Sequence, residues 1–242
     1  MKIELYLTPV PLLKADLNNK AVVVIDVLRS STSVCAALWA GARGVIPTDG
    51  PGEAGEMWAK LGGDMAILAG ERHGVKIDNF QLGNSPAEFT RQAVGGKFVV
   101  MTTTNGTAVY IRTRNASPVI CGGLVNISKT AERLSRDVDD VAIACTGNEG
   151  SFSIEDTVCG GMLIHTLATR YDRKLDLNDA ASLALLLYRS NKSAVKRTIE
   201  QGEHGRYLAS IGFAGDVEIA ANVDSMPVLP VLRDGRLVKE SE

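Results

Sequence analysis

At 242 residues, with 45% hydrophobic and 22% charged side chains, the chain holds enough apolar material for one large domain or two small ones. Its formal charge of -2 and scattered basic residues exclude the cationic stripe that grips a phosphate backbone, so nucleic acid is not an expected partner. An acidic residue inside Met1-Lys-Ile-Glu-Leu-Tyr-Leu, and no run near the roughly 18 apolar residues of a membrane span, predict neither a signal peptide nor a membrane partner.

In chain order, short β-branched runs alternate with helical patterns. The runs are Val22-Val-Val-Ile25, Gly44-Val-Ile46, Met65-Ala-Ile-Leu68, Phe98-Val-Val-Met101, Pro118-Val-Ile120 and Asp140-Val-Ala-Ile-Ala144, and segments such as 33–42 and 52–61 are long enough for crossover helices. This rhythm predicts βαβ units: an α/β fold of mainly parallel sheets with helices on both faces, arranged as two α/β lobes. The expected lobes are 1–115 and 116–242, divided in the tight connection Arg114 to Pro118. From Ile154 to about Gln201, Leu175, Leu177, Leu183, Leu186 and Leu187 fall at helical spacing, a helical block without a strand candidate. The tail reads as a helix at Asp216-Val-Glu-Ile-Ala-Ala-Asn, an edge-like strand at Pro227-Val-Leu-Pro-Val-Leu232 and a turn at Asp234-Gly235. Cys35, Cys121, Cys145 and Cys159 contain no Cys-x-x-Cys pair and sit among apolar or small residues, which predicts free thiols in a reducing, cytoplasmic setting.

Chemistry is expected where strands give way to helices, because ligands of open α/β sheets bind beyond the carboxyl ends of strands, where free N–H groups face an anion. Asp26-Val-Leu-Arg29-Ser-Ser-Thr-Ser33 offers a carboxylate for a hard cation, a guanidinium fork for phosphate, and hydroxyls at Ser31 and Thr32 for a ligand. The bland alternative pairs Arg29 with Asp26 and uses a serine as helix cap. Thr103, Thr104, Asn105, Gly106 and Thr107 form a second turn able to cradle an anion, with Gly106 admitting close backbone approach; Thr104 or Asn105 could equally cap a helix. In the loop 145–156, Ser153 reads as an N-cap, which puts Glu155 and Asp156 in a first turn where acids are favoured without any function; Asp156 is the metal candidate of the two. Glu71, after the run ending at Leu68, is a further metal-ligand candidate and equally a solvated loop acid. Ser85, Pro86 and Glu88 match a capping box, so Gly83-Asn-Ser-Pro reads as structural. His204 lies between polar and glycine residues as a loop histidine would, with general-base chemistry as the alternative, and His165 reads as core. Asp216, Glu218 and Asp224 could close a site from the tail or be solvated helix charges.

Two phosphatase chemistries are disfavoured. A haloacid-dehalogenase nucleophile needs a second Asp two residues on, where Leu28 stands, and a Cys-x5-Arg loop needs Arg where Gly41, Ile127, Ser151 and His165 follow the four cysteines.

Taken in order, Val24-Ile-Asp-Val-Leu-Arg-Ser-Ser-Thr, Gly83-Asn-Ser-Pro, Thr102-Thr-Thr-Asn-Gly-Thr, Ser153-Ile-Glu-Asp and Gly212-Phe-Ala-Gly-Asp-Val-Glu, with Asp224 and Pro227, resemble the 2-phosphosulfolactate phosphatase family from about residue 3 to residue 232. The resemblance implies a magnesium-dependent hydrolase that converts 2-phospho-3-sulfolactate to 3-sulfolactate and phosphate, a step of coenzyme M synthesis. The chemistry of the turns then gives the expected roles: Mg2+ held by Asp26 with Glu71 or Asp156, and Arg29 and the 102–107 turn neutralising a small anionic phosphorylated substrate. A covalent aspartyl intermediate at Asp26, a different phosphorylated hydroxy acid, and a non-catalytic anion- or nucleotide-binding module are the alternatives. The helical block leaves room for a homodimer.

Overall fold

The computed structural model describes residues 1–12, 15–113, 116–136 and 138–240; Arg114 and Asn115, at the expected lobe boundary, lie outside them. Its strands are β1 (Lys2–Tyr6), β2 (Ala21–Ile25), β3 (Gly44–Pro47), β4 (Ala66–Arg72), β5 (Val75–Lys76), β6 (Phe98–Thr102), β7 (Val119–Gly122), β8 (Asp140–Cys145), β9 (Asp176–Leu177), β10 (Pro230–Arg233) and β11 (Arg236–Lys239). They form one sheet in the order β5-β4-β6-β3-β11-β10-β7-β2-β8-β1-β9. The fold is α/β and the sheet mostly parallel, as expected.

Two parallel sets make up the sheet. One is β4-β6-β3, the other β7-β2-β8-β1-β9. Between them the hairpin β10-β11 pairs antiparallel with β7 on one side and β3 on the other. Three antiparallel steps in succession mean that the two sets run in opposite senses. The tail strand expected at an edge therefore lies mid-sheet; Pro230 is tolerated because it opens the strand. Strands also pair across the expected boundary, since β2 hydrogen-bonds to β7 and β8, so stretches from both sides of it share one sheet. The helical block is interrupted by β9, two residues that extend the sheet beside β1.

The continuous apolar run of β2 follows from burial on both faces. Val23 and Ile25 join Ile143, Leu163 and Ile164 in one core, whereas Val22 and Val24 face a second core with Val34, Val99 and Tyr110. Each such side chain contributes roughly 1.5–3 kcal/mol when removed from water. A smaller third cluster, with Ile46, Leu68 and Val100, lies under the helix Pro51–Lys60. The helix Ser30–Trp39 begins where β2 ends and is buried from Ser30 to Leu38, so its small and apolar residues serve every face. All four cysteines are free and buried. No helix among the described residues is long and apolar enough to cross a membrane.

Candidate active site

Residues beyond the carboxyl ends of β2, β4, β6 and β8 meet around one cavity of about 380 Å³. Asp26 and Arg29 reach it from β2, Glu71, His73 and Gly74 from β4, Thr103, Thr104 and Asn105 from β6, and Asn148 and Glu149 from β8. Asn84, Glu203, His204 and Tyr207 complete its wall.

The turn after β2 is held by its own hydrogen bonds. The Asp26 N–H donates to Ser31 Oγ (3.0 Å) and the Ser30 N–H donates to Asp26 Oδ1 (3.1 Å). Ser31 is thus a brace of the loop, and so is Thr32, whose hydroxyl donates to the Val27 carbonyl (2.8 Å); neither hydroxyl lines the cavity. Gly106 presses against this turn: a Cβ there would lie 2.6 Å from Asp26 Oδ2 and 2.5 Å from Ser30 Oγ, so only glycine allows the approach. Burial pushes the Asp26 carboxyl up to about 7, the Glu71 charge adds to the shift, and the Ser30 N–H opposes it.

Arg29 does not pair with Asp26. Its Nη1 donates to Asp216 Oδ2 (2.8 Å), its Nη2 donates to the Gly74 carbonyl (2.6 Å), and its guanidinium carbon lies 4.5 Å from the centre of the Phe213 ring. Ser85 Oγ donates to the other Asp216 oxygen (2.6 Å). Ser85 therefore makes no side-chain cap, contrary to the capping-box spacing, and Glu88 accepts from the Gly83 N–H (2.7 Å) instead. A buried carboxylate outcompetes a short 3-10 turn for the hydroxyl because charge-assisted hydrogen bonds are the stronger kind.

Glu71 is buried rather than solvated, at 7% exposure. Its Oε2 accepts from the Gly74 N–H (2.8 Å) and the Thr104 hydroxyl (3.2 Å), and its Oε1 accepts from the Thr104 N–H (2.8 Å). It thereby ties the β4 end to the β6 turn. Thr103 and Thr107 join the two ends of that turn, each N–H donating to the other's hydroxyl at 3.3 Å.

Asp156 stands behind the wall. Ser153 caps its helix as expected, and Asp156 accepts from the Val27 N–H at Oδ1 (2.8 Å) and from the Gly147 N–H at Oδ2 (3.1 Å). It fastens the β2 turn to the β8 loop, and burial followed by the Asp26 charge raises its pKa. Asp224 likewise takes the Ser128 N–H and hydroxyl, at 2.8 and 2.6 Å. His165, half-buried, faces Tyr188 and Lys192 away from the cavity.

Three residues matter more here than their sequence context implies. Asp216 fixes Arg29 across 187 positions of sequence, His204 lines the cavity from the first turn of the helix Glu203–Ser210, and Asn84 lines the same cavity.

The family model for 2-phosphosulpholactate phosphatase matches residues 6–235. The chain belongs to this family. Proteins named probable 2-phosphosulfolactate phosphatase are similar along nearly their whole lengths. The one from Carboxydothermus hydrogenoformans is 38% identical over 100% of this chain and 98% of its own, and that from Caldanaerobacter subterraneus 36% identical over 94% and 93%. The one from Clostridium beijerinckii is 33% identical over 99% and 100%. In this member of the 2-phosphosulpholactate phosphatase family, the cavity gathers Asp26, Glu71, Glu149 and Glu203 against the guanidinium of Arg29. Asp26 and Glu71 have no cationic side chain within ion-pair distance among the described residues. Their mutual repulsion is what a divalent cation relieves, and hard carboxylate oxygens are donors that magnesium accepts. The residues fit that ion, although no group of three or more acidic, His or Cys side chains among the described residues could hold a metal by itself; magnesium commonly takes only one or two carboxylates, with waters and substrate oxygens completing its shell.

Proposed function

We propose that this chain is a magnesium-dependent phosphatase that hydrolyses 2-phospho-3-sulfolactate to 3-sulfolactate and phosphate. The observation that carries the reading is the meeting of Asp26, Glu71 and Arg29 in one cavity at the carboxyl ends of β2 and β4. Asp26 and Glu71 would hold the magnesium, which when bound supplies Lewis-acid neutralisation of phosphate oxygens. Arg29 is fixed by Asp216 and Gly74, so its remaining N–H groups meet a phosphate oxygen without first losing rotamer freedom. The Thr103–Thr107 clasp shapes the turn that leads into the helix Gly106–Thr113, whose N-terminal N–H groups favour an anion. Asp156 acts at one remove, holding the Asp26 turn in place.

The relatives' names support the substrate, and the cavity's acids support the metal. The test is phosphate release from 2-phospho-3-sulfolactate by the purified protein, with magnesium and with chelator. Turnover that disappears with chelator and returns with magnesium is expected. Turnover indifferent to chelator removes the magnesium dependence, and none on this ester or on 2-phospholactate removes the phosphatase.

A further inference from the structure

The helix Asp179–Asn191 is docked by one face and open on the other. Its cap, Asn178, accepts from the Ala181 N–H (2.9 Å), and Ala181, Ala184 and Tyr188 are buried against the rest of the molecule. The neighbouring helix Ile154–Arg170 approaches so closely that a Cβ at Gly161 would lie 2.0 Å from the Ala184 carbonyl oxygen. At about 100° per residue, Leu183 and Leu186 fall opposite that buried stripe. They are 51% and 60% exposed, whereas the other exposed large apolar side chains stand singly on separate elements or loops. Scattered apolar residues on a surface are ordinary; adjacent ones on a helix form a patch, and patches mark interaction sites.

The charges at the two ends of this stripe identify what covers it. Asp179 stands one turn before Leu183, and Arg189 follows Leu186 by three residues. Both are exposed, and neither side chain has an ion-pair or hydrogen-bond partner among the described residues. An acid in the first turn and a base in the last suit the helix dipole in a monomer too, so the charges alone require no partner. With the leucines between them, however, they make the stripe its own complement. Turned end for end about a two-fold axis between Leu183 and Leu186, each Leu183 meets the partner's Leu186, and each Asp179 comes level with the partner's Ser190, within an arginine's reach of the partner's Arg189.

We propose that two copies of the chain associate through this face, with their helices Asp179–Asn191 antiparallel. A helix of 13 residues is about 20 Å long, and two of them bury less than the roughly 800 Å² per partner of a standard interface. The dimer is therefore concentration-dependent rather than obligate. No residue of this helix lines the cavity, so the association stands or falls independently of the phosphatase reading.

Sedimentation velocity over a concentration series tests it. Wild type is expected to move from the 25.7 kDa monomer towards twice that mass as concentration rises. Protein that stays monomeric up to its solubility limit overturns the proposal. Leu186→Glu lies on the open side of the helix, so it should keep the wild-type circular dichroism spectrum while weakening self-association by roughly tenfold or more. A dimer equally strong in this variant places the contact elsewhere and overturns the proposal as well. Charge reversal reads the orientation. Asp179→Arg and Arg189→Asp should each weaken association, and an equimolar mixture of the two should recover it, because each copy then presents the charge that the other lacks. A mixture that associates no better than either variant by itself overturns the antiparallel pairing.

Discussion

Asp26 and Asp156 make an instructive pair. They are 5% and 2% exposed, one follows β2 and the other stands in the first turn of the helix Ile154–Arg170, and burial raises the pKa of both. Yet Asp156 has both oxygens engaged by the N–H groups of Val27 and Gly147, whereas Asp26 takes one N–H, that of Ser30, at Oδ1, with the Thr146 side chain as its other hydrogen-bond partner, and faces a cavity that it shares with another carboxylate. Burial makes a carboxylate costly in either place; the partners decide whether that cost is offset within the fold or left for a ligand.

The largest effect should come from Asp26→Asn. It keeps the shape and removes the charge, so turnover is expected to fall on the order of a thousandfold while the fold gains stability. The sign follows from linkage. Folded Asp26 titrates near 7 against an ordinary value of 3.8, so between those pH values the folded state keeps a proton that the unfolded state has released. Stability of the magnesium-free wild type therefore rises as pH falls through that window and is fully reduced above it, by an amount on the order of a few kcal/mol. Denaturant titrations at pH 5 and pH 8 should show this slope in the wild type and a weaker one in the variant. A variant less stable than wild type at pH 8 would mean that Asp26 is structural.

Asp216→Ala comes next. It strands a buried guanidinium and frees the Ser85 hydroxyl, and breaking such a pair typically costs about 3–5 kcal/mol, read as a lower urea midpoint. Asp156→Asn should cost about 1–3 kcal/mol, since an amide offers one acceptor where two N–H groups require two. Opposite signs for Asn at positions 26 and 156, measured at pH 8, are the clearest test of the comparison.

Much of the fold was legible in the sequence because its physics is local. Val22 to Ile25 and Val141 to Ala144 are apolar on both faces, and that pattern specifies a covered parallel sheet. The central hairpin was not legible: Pro227 and Pro230 have the signature of an edge, and nothing local reveals that the tail returns between two oppositely running sets. The same division holds at the cavity. Asp26, Arg29, Glu71 and the 103–105 turn announce themselves as polar residues following apolar strands, whereas Asn84 and Ser85 hide inside a capping-box spacing. The Arg29–Asp216 pair joins residues far apart in sequence, and one sequence carries no trace of such pairing.

The rim of the cavity gives the smallest expected effect and the sharpest contrast with its floor. His73 Nδ1 lies 3.2 Å from Glu149 Oε1, but these side chains are 77% and 61% exposed, where water competes for both groups. Each of the two loops is also anchored elsewhere by a bond that leaves both of these side chains out: the Tyr207 hydroxyl donates to the His73 carbonyl (2.9 Å) and the Glu149 N–H to Asn105 Oδ1 (3.1 Å). Glu149→Gln should therefore change unfolding stability by less than about 0.5 kcal/mol, and added salt should not separate it from wild type. A loss above about 1 kcal/mol would mean that this exposed pair is worth what a buried one is, and that burial does not decide what a carboxylate's partners contribute at this rim.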